Sequence, residues 1–214
     1  MKTVLCYGDS NTWGHPPVPD LSQPLPRYSI HDRWPGVLRD QLGGGYHVIE
    51  EGLSGRCTVY DDPVEGHHKN GRTYLLPCLE TAQPVDLVVM MLGTNDLKAR
   101  FSAPVFDIVW GISQLADMVL NSTFGPNWSA PKLLLISPPP LGKLTFFADL
   151  LQGGQPKSRE MAAGIRAAAE ARKCGFLDAG EHIQTSEADG VHFSVESHHV
   201  LGKAVADKVR EMLG

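Results

Sequence analysis

Five short apolar runs recur along this chain, at Thr3–Tyr7, His47–Glu50, Asp86–Leu92, Lys132–Ser137 and Gly175–Asp178. No other feature constrains the fold as tightly. Runs such as Leu-Val-Val-Met-Met-Leu are apolar on both sides, as strands covered on both faces must be. Between the runs lie helical patterns at Trp34–Leu42, Thr73–Thr81, Val105–Leu120, Ser158–Arg172 and Val195–Leu213. The last carries Val200, Leu201, Ala204, Val205, Val209 and Met212 at helical spacing, so it buries one stripe. Strict strand–helix alternation predicts an α/β fold with right-handed crossovers. The expectation is one doubly wound, three-layer domain over residues 1–214, with a five-stranded parallel sheet in flavodoxin-like order.

At 214 residues the chain suffices for one full core and is short for two. A formal charge of -5 with no basic stripe argues against nucleic acid as a partner. No apolar stretch approaches the roughly 18 residues of a membrane span. The amino-terminal run reads as a strand and not as a signal peptide. Cys6, Cys57, Cys78 and Cys174 are far apart and form no C-x-x-C pair. Cys6 and Cys174 sit in apolar, strand-like settings and are expected to be reduced core residues of a cytoplasmic protein.

Three connections are long for such folds. His15–Arg33 carries Pro16, Pro17, Pro19, Pro24 and Pro26 and should be stiff and non-helical. Tyr60–Arg72 is polar. Pro138–Gln155 opens with three prolines and holds Leu144, Phe146, Phe147, Leu150 and Leu151. All three follow expected strands or their first turns, which places them around one end of the sheet.

The first strand breaks into Gly8-Asp9-Ser10-Asn11-Thr12-Trp13-Gly14. This puts the Ser10 hydroxyl at a strand carboxyl end, where parallel sheets bind ligands. A serine needs a base held against it to act as a nucleophile. Asp189-Gly190-Val191-His192, just before the final helix, offers His192 as that base and Asp189 to fix its tautomer. Two more strand ends offer donors. Asn95 of Gly93-Thr94-Asn95-Asp96 has a side-chain amide, and Gly55 of Gly52-Leu53-Ser54-Gly55 has an unobstructed backbone N–H. With the Ser10 N–H they make three donors for an oxyanion.

These four segments, in this order, resemble the four blocks of the SGNH (GDSL-type) hydrolase superfamily. The resemblance spans nearly the whole chain. It implies Ser10 as nucleophile, His192 as base, Asp189 as its partner, and Ser10, Gly55 and Asn95 as the oxyanion hole. One departure is Glu51-Gly52, where many members have Asn near the start of the second block. Gly-Asp-Ser-x-Thr-Trp-Gly, Arg33-Trp34, Asp61-Asp62-Pro63 and Ser137-Pro138-Pro139-Pro140-Leu141 are similar to the bacterial arylesterase/acyltransferase branch. That branch implies hydrolysis of short-chain aryl and alkyl esters through an acyl-enzyme, acyl transfer to alcohols in some members, homo-oligomers, and no metal or organic cofactor. Relatives that remove acetyl groups from sugars supply a second reading.

An anion- or nucleotide-binding module built on Gly8–Gly14 is the alternative from another class. It lacks a Walker lysine and the G-x-G-x-x-G spacing. Asp9 is expected to cap the turn after β-structure, and Asp96 to cap a helix. His67-His68 and His198-His199 match no zinc spacing and read as solvated loop and helix residues. Trp13 reads equally as core or as a substrate-binding wall of the acyl pocket. Phe146, Phe147, Leu150 and Leu151 read as a subunit contact or a pocket lid.

Overall fold

In a computed structural model of the protein, which describes residues 1–20 and 26–214, the strands are β1 (Lys2–Gly8), β2 (Tyr46–Gly52), β3 (Leu87–Met91), β4 (Lys132–Ser137) and β5 (Gly175–Asp178). They form one sheet, ordered β2-β1-β3-β4-β5 and parallel at every pairing. This is the flavodoxin-like order the alternation predicts. The helices are α1 (Ser10–Trp13), α2 (Trp34–Leu42), α3 (Gly71–Ala82), α4 (Val105–Leu120), α5 (Gly154–Arg172) and α6 (Val195–Leu213).

Alternate residues of each strand face opposite layers. Val4 and Cys6 of β1 and Val89 and Met91 of β3 join Trp34 and Leu38 of α2 and Leu201, Val205 and Val209 of α6 in one core. Leu5, Tyr7, Val88 and Met90 join Leu75 and Leu79 of α3, Ile108 and Ile112 of α4, and Met161 and Ile165 of α5 in the other. Glycine lets α6 lie directly on α2. A Cβ at Gly202 would stand 2.8 Å from the Trp34 carbonyl oxygen.

Two helices start earlier than periodicity indicates. Asn70 caps α3 through the Arg72 N–H, so the helix begins at Gly71, two residues ahead of the expected Thr73. Helix α5 gains the polar turn Gly154–Lys157, which carries no apolar stripe to betray it. Of the cysteines, Cys6, Cys57 and Cys78 are buried, whereas Cys174 is only half-buried just ahead of β5, and all four thiols are free. The described parts of the His15–Arg33 connection contain no helix, and Pro24 lies outside the described residues.

Candidate active site

β1 ends at Gly8 and the chain turns at once into the single turn of α1. Asp9 caps that turn, its Oδ1 accepting the Asn11 N–H at 3.0 Å, and Gly14 closes it in the left-handed region at φ 89°. The turn has no room for side chains beneath it. A Cβ at Gly8 would stand 2.0 Å from Thr12 Oγ1, and one at Gly52 would stand 2.1 Å from the Trp13 nitrogen. Packing thus clamps Ser10 between the ends of β1 and β2.

The loop before α6 returns to this edge. Asn11 Nδ2 donates to the Val191 carbonyl at 3.2 Å, tying the two segments together. Asp189 is fully buried and accepts four hydrogen bonds. Oδ1 takes the Val191 N–H (2.8 Å) and the His192 N–H (2.9 Å), and Oδ2 takes the Val18 N–H (2.8 Å) and His192 Nδ1–H (2.7 Å). Burial alone would raise its pKa, but the hydrogen bond and charge of His192, with the backbone donors, hold it below the usual value. An ionised Asp189 fixes the proton of His192 on Nδ1. Nε2 then accepts from Ser10 Oγ–H at 3.1 Å.

The His192 ring is held on two sides. His15 stacks on it with centroids 4.7 Å apart, and Phe147 meets it edge-on at 5.6 Å. His15 Nδ1 donates to the Pro16 carbonyl at 2.7 Å, and burial depresses the pKa of His15, so a neutral ring lies against His192.

Gly55 has φ 81°, and its N–H meets no protein acceptor among the described residues. As first residue of α1, Ser10 has an N–H without an intrahelical acceptor. Asn95 is half-buried, with its Nδ2 3.5 Å from Asp9 Oδ2. Ser10, Gly55, Asn95 and His192 line one cavity of about 260 Å³, together with residues of all three long connections: His15 and Val18, then Glu65, then Phe146, Phe147, Leu150 and Leu151.

Sequence reasoning errs at three places. Asp96 caps no helix. It is fully buried, raised to about 6 by burial, and holds the second block's loop by accepting from Thr58 N–H (3.0 Å) and Thr58 Oγ–H. His198 is not solvated but buried against Trp34, Tyr28 and Phe193. Trp13 is neither core nor cavity wall: its half-buried ring lies behind His15 (5.8 Å), with the Arg27 guanidinium over it at 4.9 Å. His15 carries that wall instead.

Other supports escaped the sequence. Arg56 is buried, stacks on Tyr7 at 4.1 Å and donates to the Gly8 carbonyl at 2.9 Å, tying the Gly55 loop to β1. Lys98 is 2% exposed and pairs with fully buried Asp62 at 3.0 Å. Asp62 is pulled down to about 2: burial opposes this, but two backbone donors and Lys98 outweigh it. A lysine three residues past Asn95 and the Asp61-Asp62-Pro63 turn were the visible signals, without means of pairing them.

Residues 6–200 match the family model described as GDSL-like lipase/acylhydrolase. The chain belongs to that family. Among solved structures, the inhibitor-bound aryl esterase of M. smegmatis is 45% identical, with both chains covered in full and a TM-score of 0.95. Est24, a carbohydrate acetylesterase from Sinorhizobium meliloti, is 42% identical, again with full coverage of both chains and a TM-score of 0.95. Among curated proteins, none matches significantly. This GDSL-family member is therefore an ester hydrolase on an SGNH α/β fold. Among its described residues no helix is long and apolar enough to cross a membrane.

Proposed function

We propose that the protein, acting as one domain over residues 1–214, cleaves short-chain, acetyl-type aryl and alkyl esters through an acyl-enzyme on Ser10. The observation that carries this reading is the continuous Asp189–His192–Ser10 relay, with 2.7 and 3.1 Å links. Ser10 Oγ attacks the ester carbonyl while His192 Nε2 takes its proton. The carbonyl oxygen, now negative, lies against Ser10 N–H, Gly55 N–H and Asn95 Nδ2. The C–O bond to the alcohol then breaks, and His192 returns the proton to the leaving oxygen. Water, or a second alcohol, gives its proton to His192 and attacks the acyl carbon; the bond from that carbon to Ser10 Oγ then breaks, and His192 returns the proton to Ser10. No step requires a metal or organic cofactor.

The cavity supports a small acyl group. At about 260 Å³ it falls below the roughly 300–1,000 Å³ typical of drug-sized ligand sites. The apolar wall of Phe146, Phe147, Leu150 and Leu151 supports aryl leaving groups and acyl transfer to alcohols, since it lowers water's access to the acyl carbon. Carbohydrate deacetylation is the second reading, favoured by the charged wall of Glu65 and Lys98 and by likeness to Est24. The four free thiols support a reducing, cytoplasmic setting. Phe106 and Trp110, 72% and 57% exposed and stacked on each other, support a homo-oligomer.

Ser10→Ala tests the mechanism. It is expected to lower kcat on p-nitrophenyl acetate by a factor on the order of 10⁴ or more with the fold intact. A variant that keeps wild-type turnover, or a Ser10 peptide left unmodified by an organophosphate that inactivates the enzyme, sinks the reading. Comparing p-nitrophenyl acetate with acetylated xylose separates the two substrate classes.

A further inference from the structure

One wall of the cavity carries a carboxylate that the ester-cleaving machinery does not use. Glu65 lies on the second long connection, and its two oxygens have different surroundings. Oε1 accepts from Lys98 Nζ at 2.6 Å and from Arg100 Nη2 at 3.4 Å. Those two cations also hold Asp62, at 3.0 Å each. The four charges balance, and Lys98 and Asp62 are buried, so the carboxylate is held in one orientation. Oε2 meets no partner among the described residues. It packs over Gly55, 2.3 Å from where a Cβ on that glycine would stand. A side chain at position 55 would displace it.

An unbalanced carboxylate beside a hole for a negative oxygen would oppose catalysis. Lys98 and Arg100 remove that conflict and leave Oε2 as an oriented, acceptor-only atom on the cavity wall. Such an atom offers nothing to an alkyl group. It accepts from a hydroxyl, through a charge-assisted bond stronger than a neutral one. An acetyl group has no donor, so the hydroxyl must come from the alcohol half of the ester. We propose that Glu65 is a specificity-determining residue that selects esters of polyhydroxylated alcohols by accepting a hydrogen bond from a hydroxyl neighbouring the esterified oxygen. The inference rests on the Ser10 acyl-enzyme reading above and, within it, favours the hydroxylated alcohols of the second reading over simple aryl and alkyl ones.

Three acetates of matched size test it: 2-hydroxyethyl acetate, 2-methoxyethyl acetate and propyl acetate. The methoxy ester keeps the electron-withdrawing oxygen but cannot donate. The wild-type protein is expected to show kcat/KM on the hydroxyethyl ester about 5- to 20-fold above either other ester. In Glu65→Gln the hydroxy-to-methoxy ratio should fall towards one, whatever happens to the common rate. If Glu65 only braces its loop, Glu65→Gln lowers all three rates by one factor and keeps the ratio, which overturns the proposal. A wild-type ratio near one also overturns it, and needs no variant to fold, while leaving Ser10 chemistry standing. Wild-type protein inert on all three esters overturns both readings.

Discussion

His198 shows how much a single side chain gains from its surroundings. It is fully buried between α6 and the start of α2, with Nδ1 accepting the Trp34 N–H at 3.2 Å. Burial, then the charges of His192 and His199, lower its pKa to about 3, while Asp32 opposes them. The folded value lies below the unfolded value of about 6.5. Below that pH the unfolded chain takes up a proton that the folded chain refuses. Stability therefore falls on acidification from about 6.5 towards 3, by roughly 1.4 kcal/mol per pH unit. Asp9 and Asp96, both raised to about 6 by burial, act oppositely and favour the fold as pH drops from about 6 to 4. His198→Asn keeps an acceptor for the Trp34 N–H and removes the titrating ring. Its Tm should drop less than that of the wild type between pH 7 and pH 4.5, and equal drops would refute the assignment. Helical spacing does separate the two histidines, since His198 stands in line with Leu201, Val205 and Val209 and half-buried His199 does not. A polar residue at a stripe position is easily passed over when the stripe is read from its apolar members alone.

Among the elements, α1 is the one with least tolerance. Its four residues are too few to be stable alone, and the Asp9 cap and the backbones of β1 and β2 hold it in place. Gly52→Ala puts a Cβ 2.1 Å from the Trp13 nitrogen, a backbone atom that cannot rotate away. A loss exceeding about 2 kcal/mol is expected, seen as a Tm lowered by roughly 5 °C or more. Gly44→Ala, with open space around it, serves as the control and should leave Tm nearly unchanged or raised. Similar Tm values for both variants would count against the clamp. The longer elements were legible from periodicity to within a few residues. Only polar first turns, as in α5, escaped it. The four site blocks were legible too, since each ends a strand or precedes a helix at the same edge of a parallel sheet.

For the whole molecule, the proposed self-association belongs to α4. Its inner face, Ile108, Ile112 and Leu115, is buried in the core, while Phe106 and Trp110 project outward. The wild-type protein should sediment as a multiple of 23.3 kDa, and Trp110→Glu should shift it towards the monomer. A monomeric wild type would refute self-association. A multimer that Trp110→Glu leaves unchanged would place the interface on another face.

The sequence by itself determined the layers, the strand order expected of this alternation, and the four segments that bring Ser10, Gly55, Asn95 and His192 to one edge. Those properties follow from local hydrogen bonding and from a hydrophobic period that is printed in the chain. The tertiary structure alone decided what lies against each of these groups. His15 displaced Trp13 from the wall, Asp96 became a brace for Thr58, Lys98 found Asp62, and Glu65 was left with one oxygen that meets no partner among the described residues. Each of these depends on burial or on contacts between segments whose relative placement no short motif encodes. Burial sets how much a charge costs and which partner it must find.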